Sequence, residues 1–179
     1  GSSLLVDGSD NVFTVTLTNS SNYPTTVGAY DRTYNDVVST NTDDIVISKL
    51  SNNLTTLLAS TYLGGGLWDV TYNSTLDSAG NIYVAGRTSS WLNTGYGNIP
   101  FPTTPGAYHG DYADNWTALG AYYDGFISKL NNNLTTLVAS TYLGSTSDSD
   151  IIWDIAVAPD STVYVVGSTI SNLFPVTAG

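Results

Sequence analysis

Apolar positions along this chain fall in short, strand-length runs separated by turn residues, with no long stripe of helical period. Residues 44–50, DIVISKL, alternate Ile45, Ile47 and Lys49 against Val46, Ser48 and Leu50. That two-sided pattern suits a strand packed on both faces. Residues 55–63, TTLLASTYL, are β-branched and aromatic, and residues 81–86, NIYVAG, form another apolar run ended by glycine. Between them lies WDVTYNSTL at 68–76, which aligns with WDIAV at 153–157. The joints carry Asn, Asp and Gly: SNNL at 51–54, NNNL at 131–134 and DSAGN at 77–81. The asparagines there are expected to supply left-handed geometry. With Glu, Gln and Met absent, helix signals are scarce, and the pattern predicts an all-β chain.

The elements recur. Residues 44–64 reappear as residues 124–144, differing only at 45, 46, 51 and 58, so 17 of 21 positions are identical. FPTTPGAY at 101–108 matches YPTTVGAY at 23–30 and the FPVTAG of 174–179, while DSAGNIYVAGRT at 77–88 matches DGSDNVFTVTLT at 7–18 and, more loosely, APDSTVYVVGST at 158–169. The spacings between Pro24, Pro102 and Pro175, 78 and 73 residues, set a unit of about 75 residues with about four strands. The domain organisation read from this is a partial unit at 1–23, a first unit at 24–100 with an insertion at 89–100, a second at 101–173 with an insertion at 109–123, and the opening of another at 174–179.

The string ASTYLGGG, then DSAGNIYVAGRTSS, then FPTTPGAY resembles the cell-surface β-propeller repeat called SBBP. The likeness spans most of the chain and is strongest over 59–108; Gly144 lacks a following glycine, and PDST stands at 159–162 in place of the DSAGN turn. The resemblance implies tandem four-stranded antiparallel blades and extracellular or cell-surface placement, with no catalytic residues to carry over. A little over two such units do not close a ring of roughly four to eight blades. The sheet borders at both ends are therefore expected to be unsatisfied, as in a piece of a longer protein, a ring completed by several chains, or a filament. The last-strand motif of Val12, Phe13, Thr14, Val15, Thr16, Leu17 and Thr18 is the expected assembly strand, adding to the incomplete sheet of a neighbouring copy, and removing residues 1–20 is expected to abolish association.

Composition narrows the partners. Fifteen acidic residues, all Asp, face four basic ones, Arg32, Lys49, Arg87 and Lys129, for a net charge of −11. Such a surface repels nucleic acid and anionic membranes, and no run of eighteen apolar residues is present to span a bilayer. The absence of cysteine removes disulfides and thiol chemistry, and richness in Asn, Ser, Thr, Gly and Tyr points to an exterior location.

Candidate chemistry is sparse, and the chain reads as a non-enzyme that needs no cofactor. The only histidine, His109, has no nucleophile elbow to serve. Asp7 with Ser9 and Asn11, and separately Asp148 and Asp150, are fragments of a calcium loop, with turn capping as the simpler reading. N-glycosylation patterns occur at Asn19, Asn53, Asn73, Asn115 and Asn133, no more often than the composition itself produces, though Asn53 and Asn133 share one turn position. Trp68 and Trp153 precede matching strands and are expected to be packed. The insertions hold Trp91, Tyr96, Tyr112, Trp116, Tyr122 and Tyr123, candidates for stacking on sugars or anchoring a subunit. A structural, self-assembling surface protein with itself as partner is the reading preferred, and a glycan- or protein-binding segment of an adhesin is the alternative.

Overall fold

The computed structural model describes residues 1–35, 42–90, 99–110, 123–145 and 149–177. Among the described residues ten strands form, all but the first where the β-branched runs predicted them: β1 (Ser3–Val6), β2 (Val12–Thr18), β3 (Asp44–Leu50), β4 (Leu57–Leu63), β5 (Asp69–Leu76), β6 (Ile82–Thr88), β7 (Asp124–Leu130), β8 (Leu137–Leu143), β9 (Asp150–Val157) and β10 (Val163–Thr169). Every pairing is antiparallel and sequential. A first sheet runs β1-β2-β3-β4, a second β5-β6-β7-β8, and among the described residues β9 pairs only with β10. The chain is thus all-β, in three open antiparallel sheets, and among the described residues there is no helix.

The sheets are offset by two strands from the sequence unit. Unit 24–100 supplies β3 and β4 to the first sheet and β5 and β6 to the second; unit 101–173 supplies β7 and β8 to the second sheet and β9 and β10 to the third. The run 44–50, read as the opening strand of a unit, is therefore the third strand of its sheet. Two central pairings carry the same register, from Val12↔Leu50 to Thr18↔Asp44 and from Ile82↔Leu130 to Thr88↔Asp124.

This topology corrects the assembly strand. Val12, Phe13, Thr14, Val15, Thr16, Leu17 and Thr18 form β2, which is hydrogen-bonded to β1 on one side and β3 on the other. An interior strand has no edge to lend. The strand β1, too short to leave a pattern, supplies the fourth member of the first sheet.

The alignment of the two tryptophan motifs is corrected as well. Asp69 and Asp150 both begin their strands, so Trp153 is the counterpart of Tyr72. Both sit at β-bulges, where the register jumps from Thr71 to Asn73 in β5 and from Ile152 to Asp154 in β9. Opposite the bulges lie Gly86 and Gly167, where a methyl group would stand 1.9 Å from Val70 O and 2.2 Å from Ile151 O. The two bulged rings meet at 4.5 Å between centroids, and Trp153 donates to Ser168 Oγ at 3.0 Å. Trp68 and Trp153 remain 38% and 45% exposed, so neither is packed inside.

The left-handed turn residues are also not those expected. In SNNL and NNNL it is Leu54 (φ 60°) and Leu134 (φ 56°) that take positive φ. Leu134 is fully buried in the main core with Phe13, Val15, Ile45, Ile47, Ile82, Val84 and Phe126, a cluster that binds the first sheet to the second. A smaller cluster of Tyr83, Ala85, Ile152 and Ile155 binds the second sheet to the β9–β10 pair.

The repeated FPTTPGAY segments have a structural task that their turn-like composition concealed. Residues 23–31 run along the outer edge of β4: Thr26 N donates to Ser60 O at 3.1 Å, Ser60 N to Thr26 Oγ1 at 3.0 Å and Tyr62 N to Asp31 O at 3.0 Å. Residues 101–109 cover β8 likewise, through Thr104, Ser140, Tyr142 and His109. Two potential aggregation edges are thereby closed.

Candidate functional site

The exposed border of β10 is where the molecule departs from its own pattern. In β2 and β6 the residues at the second and fourth positions are Phe13, Val15, Tyr83 and Ala85, all between 0% and 5% exposed. Their counterparts Tyr164 and Val166 in β10 are 62% and 60% exposed: among the described residues β10 pairs with β9 alone and no further sheet packs on its face as the second sheet packs on β2 and the β9–β10 pair on β6. Beside this strand a cleft of about 440 Å³ opens between the second sheet and the β9–β10 pair. It is lined by Tyr83, Tyr108, Ile127, Lys129, Val138 and Val163.

Within each four-stranded sheet a recurrent polar anchor sits at the hairpin end. The Asp7 carboxylate accepts from Ser9 N and Asn11 N within its turn and pairs with Lys49 Nζ at 2.9 Å. Burial alone would raise that carboxyl, but the Lys49 ammonium and the turn N–H groups outweigh it and hold it well below the usual carboxylate range. The same ammonium lies 4.9 Å from the Phe13 ring centroid and donates to Asn132 Oδ1 of the second sheet. Asp77, Lys129 and Tyr83 repeat the arrangement, with a 3.0 Å ion pair and a 4.8 Å cation–ring contact. In the third hairpin the ring persists as Tyr164, but Ala158 occupies the position of Asp7 and Asp77: Ala158 N donates to Thr162 O as Asp77 N does to Asn81 O.

Buried aspartates cap the junctions. Asp69 accepts from Gly65 N at 2.7 Å, Ser90 Oγ at 3.0 Å and Thr88 Oγ1 at 2.5 Å. Burial pushes its carboxyl up to about 7, despite these three donors. Asp150 likewise accepts from Ser145 N at 2.7 Å and Ser145 Oγ at 3.0 Å. A methyl at Gly64 would stand 2.6 Å from Asp44 Oδ1 and 2.9 Å from Asp69 Oδ2, and Gly144 is crowded in the same way by Asp124 and Asp150. Glycine is needed there because two carboxylates converge on its α-carbon.

These contacts place the residues singled out from sequence. Of the calcium candidates, Asp7 is engaged by Lys49 and its own turn and Asp150 caps Ser145, while Asp148 lies outside the described residues. Among the described residues no three acidic or histidine side chains are placed to share a metal ion. His109 stacks on Tyr108, and its backbone N–H donates to Thr141 Oγ1 at 3.0 Å. Asn19, Asn53 and Asn133 are exposed. Asn73 is half-buried, its amide donating to Asp154. Asn115 lies outside the described residues, as do Trp91, Tyr96, Tyr112, Trp116 and Tyr122. Tyr123 lies 3.9 Å under the Arg87 guanidinium, a ring already used inside the chain. The features missed from sequence were the β10 border and Ala158; the exchange of Asp for Ala within an otherwise recurring hairpin was the available signal for the latter.

Antiparallel sheets stitched from a recurring unit, with covered outer edges on β4 and β8 and an uncovered one on β10, define a repeat protein of the all-β class. Residues 140–175, from β8 through β10, match the family model of the SBBP beta-propeller repeat. The matched stretch is the copy in which the second glycine and the DSAGN turn are lost, so the β-propeller repeat is recognisable even where its motifs are weakest. No curated protein is similar enough to the chain to count as a relative. Among the described residues no helix is long and apolar enough to cross a membrane.

Proposed function

We propose that this chain is a structural repeat protein of the cell exterior, built from propeller-type blades and joined to neighbouring copies by β-strand pairing. The two four-stranded sheets are its complete blades, and the β9–β10 pair is half of a third. The observation that carries this reading is the outer border of β10, unpaired among the described residues and flanked by Tyr164 and Val166, both about 60% exposed. A seven-residue strand with free N–H and C=O groups beside an apolar face is a template for strand addition. The exterior placement is supported by the cysteine-free, Asn- and Thr-rich composition and by the cell-surface setting that the resemblance to the SBBP repeat implies.

Mass photometry and analytical ultracentrifugation over a wide concentration range test the reading, with electron microscopy of the concentrated sample. Association that rises with concentration and gives ordered rings or polymers is the expected result. A chain that stays monomeric at every concentration refutes it.

A further inference from the structure

We propose that Asn53 and Asn133 carry N-linked glycans, one at the same turn of each unit. This rests on the exterior placement read above and adds a modification and its two sites.

Attachment needs a side-chain amide nitrogen that the fold leaves free, with a hydroxyl two residues on. Asn73 fails the first condition. Its Nδ2 donates to Asp154, its Oδ1 accepts from Ser74 N at 2.7 Å, and the residue is half-buried. A sugar there would displace the link between β5 and β9, so the folded protein is expected to be bare at that position. Asn19 is exposed but does not recur, since Ser89 and Ile170 stand at its place in the other copies.

The turn at 131–134 sorts its own residues. Leu134 N donates to Asn131 O at 2.9 Å and Asn131 N to Thr136 O at 3.1 Å, which closes the loop. Asn132 is held inward, its Oδ1 accepting from Lys49 Nζ and its Nδ2 donating to Gly80 O at 2.8 Å. Leu134 is fully buried in the main core. Asn133, between these two anchors, is left exposed together with Thr135, and among the described residues its amide has no hydrogen-bond partner. The second sheet here has the first sheet on one side and the β9–β10 pair on the other, so this exposure survives packing on both faces.

Asn53 holds the equivalent place in the first sheet. Its Oδ1 accepts from Thr55 Oγ1 at 2.8 Å, Thr55 N at 3.3 Å and Ser51 Oγ at 2.7 Å, and its Nδ2 is free and exposed. The atom that takes the sugar is thus unspent at both turns.

The sugar donor is a lipid-phosphate-linked saccharide. Asn Nδ2 attacks C1 of the sugar: the N–C1 bond forms, the C1–O bond to phosphate breaks, the lipid phosphate leaves with the bonding pair, and Nδ2 loses a proton. Because Leu134, the middle residue of its tripeptide, is buried after folding, transfer at Asn133 precedes docking of the hairpin.

Peptide mass spectrometry of the protein from its native source tests the proposal, with fractionation of the same cells. Saccharide mass increments are expected at Asn53 and Asn133 and none at Asn73. Asn53→Gln and Asn133→Gln, both at exposed positions, should each remove one increment from the intact mass. A protein recovered from the surface or the medium yet bare at both turns overturns the proposal and leaves the exterior reading standing. Modification at one turn only overturns the rule of one glycan per unit. Recovery from the cytoplasmic fraction alone fells the exterior reading and the proposal with it.

Discussion

Single side chains decide how this protein answers to pH and to truncation. Asp69 keeps its proton in the folded chain up to about pH 7, against 3.8 for the free side chain. Its contribution to stability is therefore full below about 3.8 and is lost as pH rises through 7, a swing of roughly 4 kcal/mol as an upper figure. Asp7 and Asp77 act in the opposite sense: against burial, which raises both, Lys49 and the turn N–H groups hold Asp7 below the usual range, and Asn81 together with Lys129 holds Asp77 there; their contribution is present above about 3.8 and lost as pH falls further. The melting temperature is expected to fall between pH 5 and pH 8, and Asp69→Asn should flatten that slope in calorimetric scans. The paired leucines offer a second comparison. Leu134→Ala removes a fully buried side chain and should cost about 2–5 kcal/mol in denaturant titrations, whereas Leu54→Ala should stay within about 0.5 kcal/mol.

Elements, more than residues, were legible in the chain. Nine of the ten strands lie where the β-branched runs and turn dipeptides put them, and the 80-residue echo of β3–β4 in β7–β8 announced a repeat architecture. What could not be read was which strands share a sheet, because local periodicity is blind to pairing between units; hence β2 looked terminal although it is central. The task of FPTTPGAY was hidden for the same reason: its threonines and prolines spell a turn, and only the three-dimensional path lays them along β4 and β8. Thr104→Val deletes the hydroxyl that accepts from Ser140 N at 3.0 Å. The expected outcome is a loss of about 1 kcal/mol and faster amide exchange at Ser140, with β6 and β7 unaffected. The β10 border and its cleft were foreseen only as a general lack of closure, and at the wrong strand.

At the scale of the whole molecule, cohesion is graded. One cluster welds the first sheet to the second, while four buried residues hold the β9–β10 pair. Native-state hydrogen exchange should find 82–88 opening only with the entire fold and 163–169 opening well below that free energy; equal protection of the two segments would contradict this gradient.

The two-strand offset between unit and sheet has a bearing on how such a gene could grow. Because each complete sheet draws half its strands from one copy of the unit and half from the next, the polypeptide itself laces adjoining layers together. Adding or dropping one whole copy in the interior regenerates the same junction on either side. A tract of this kind can change length by recombination without ever producing a mismatched layer.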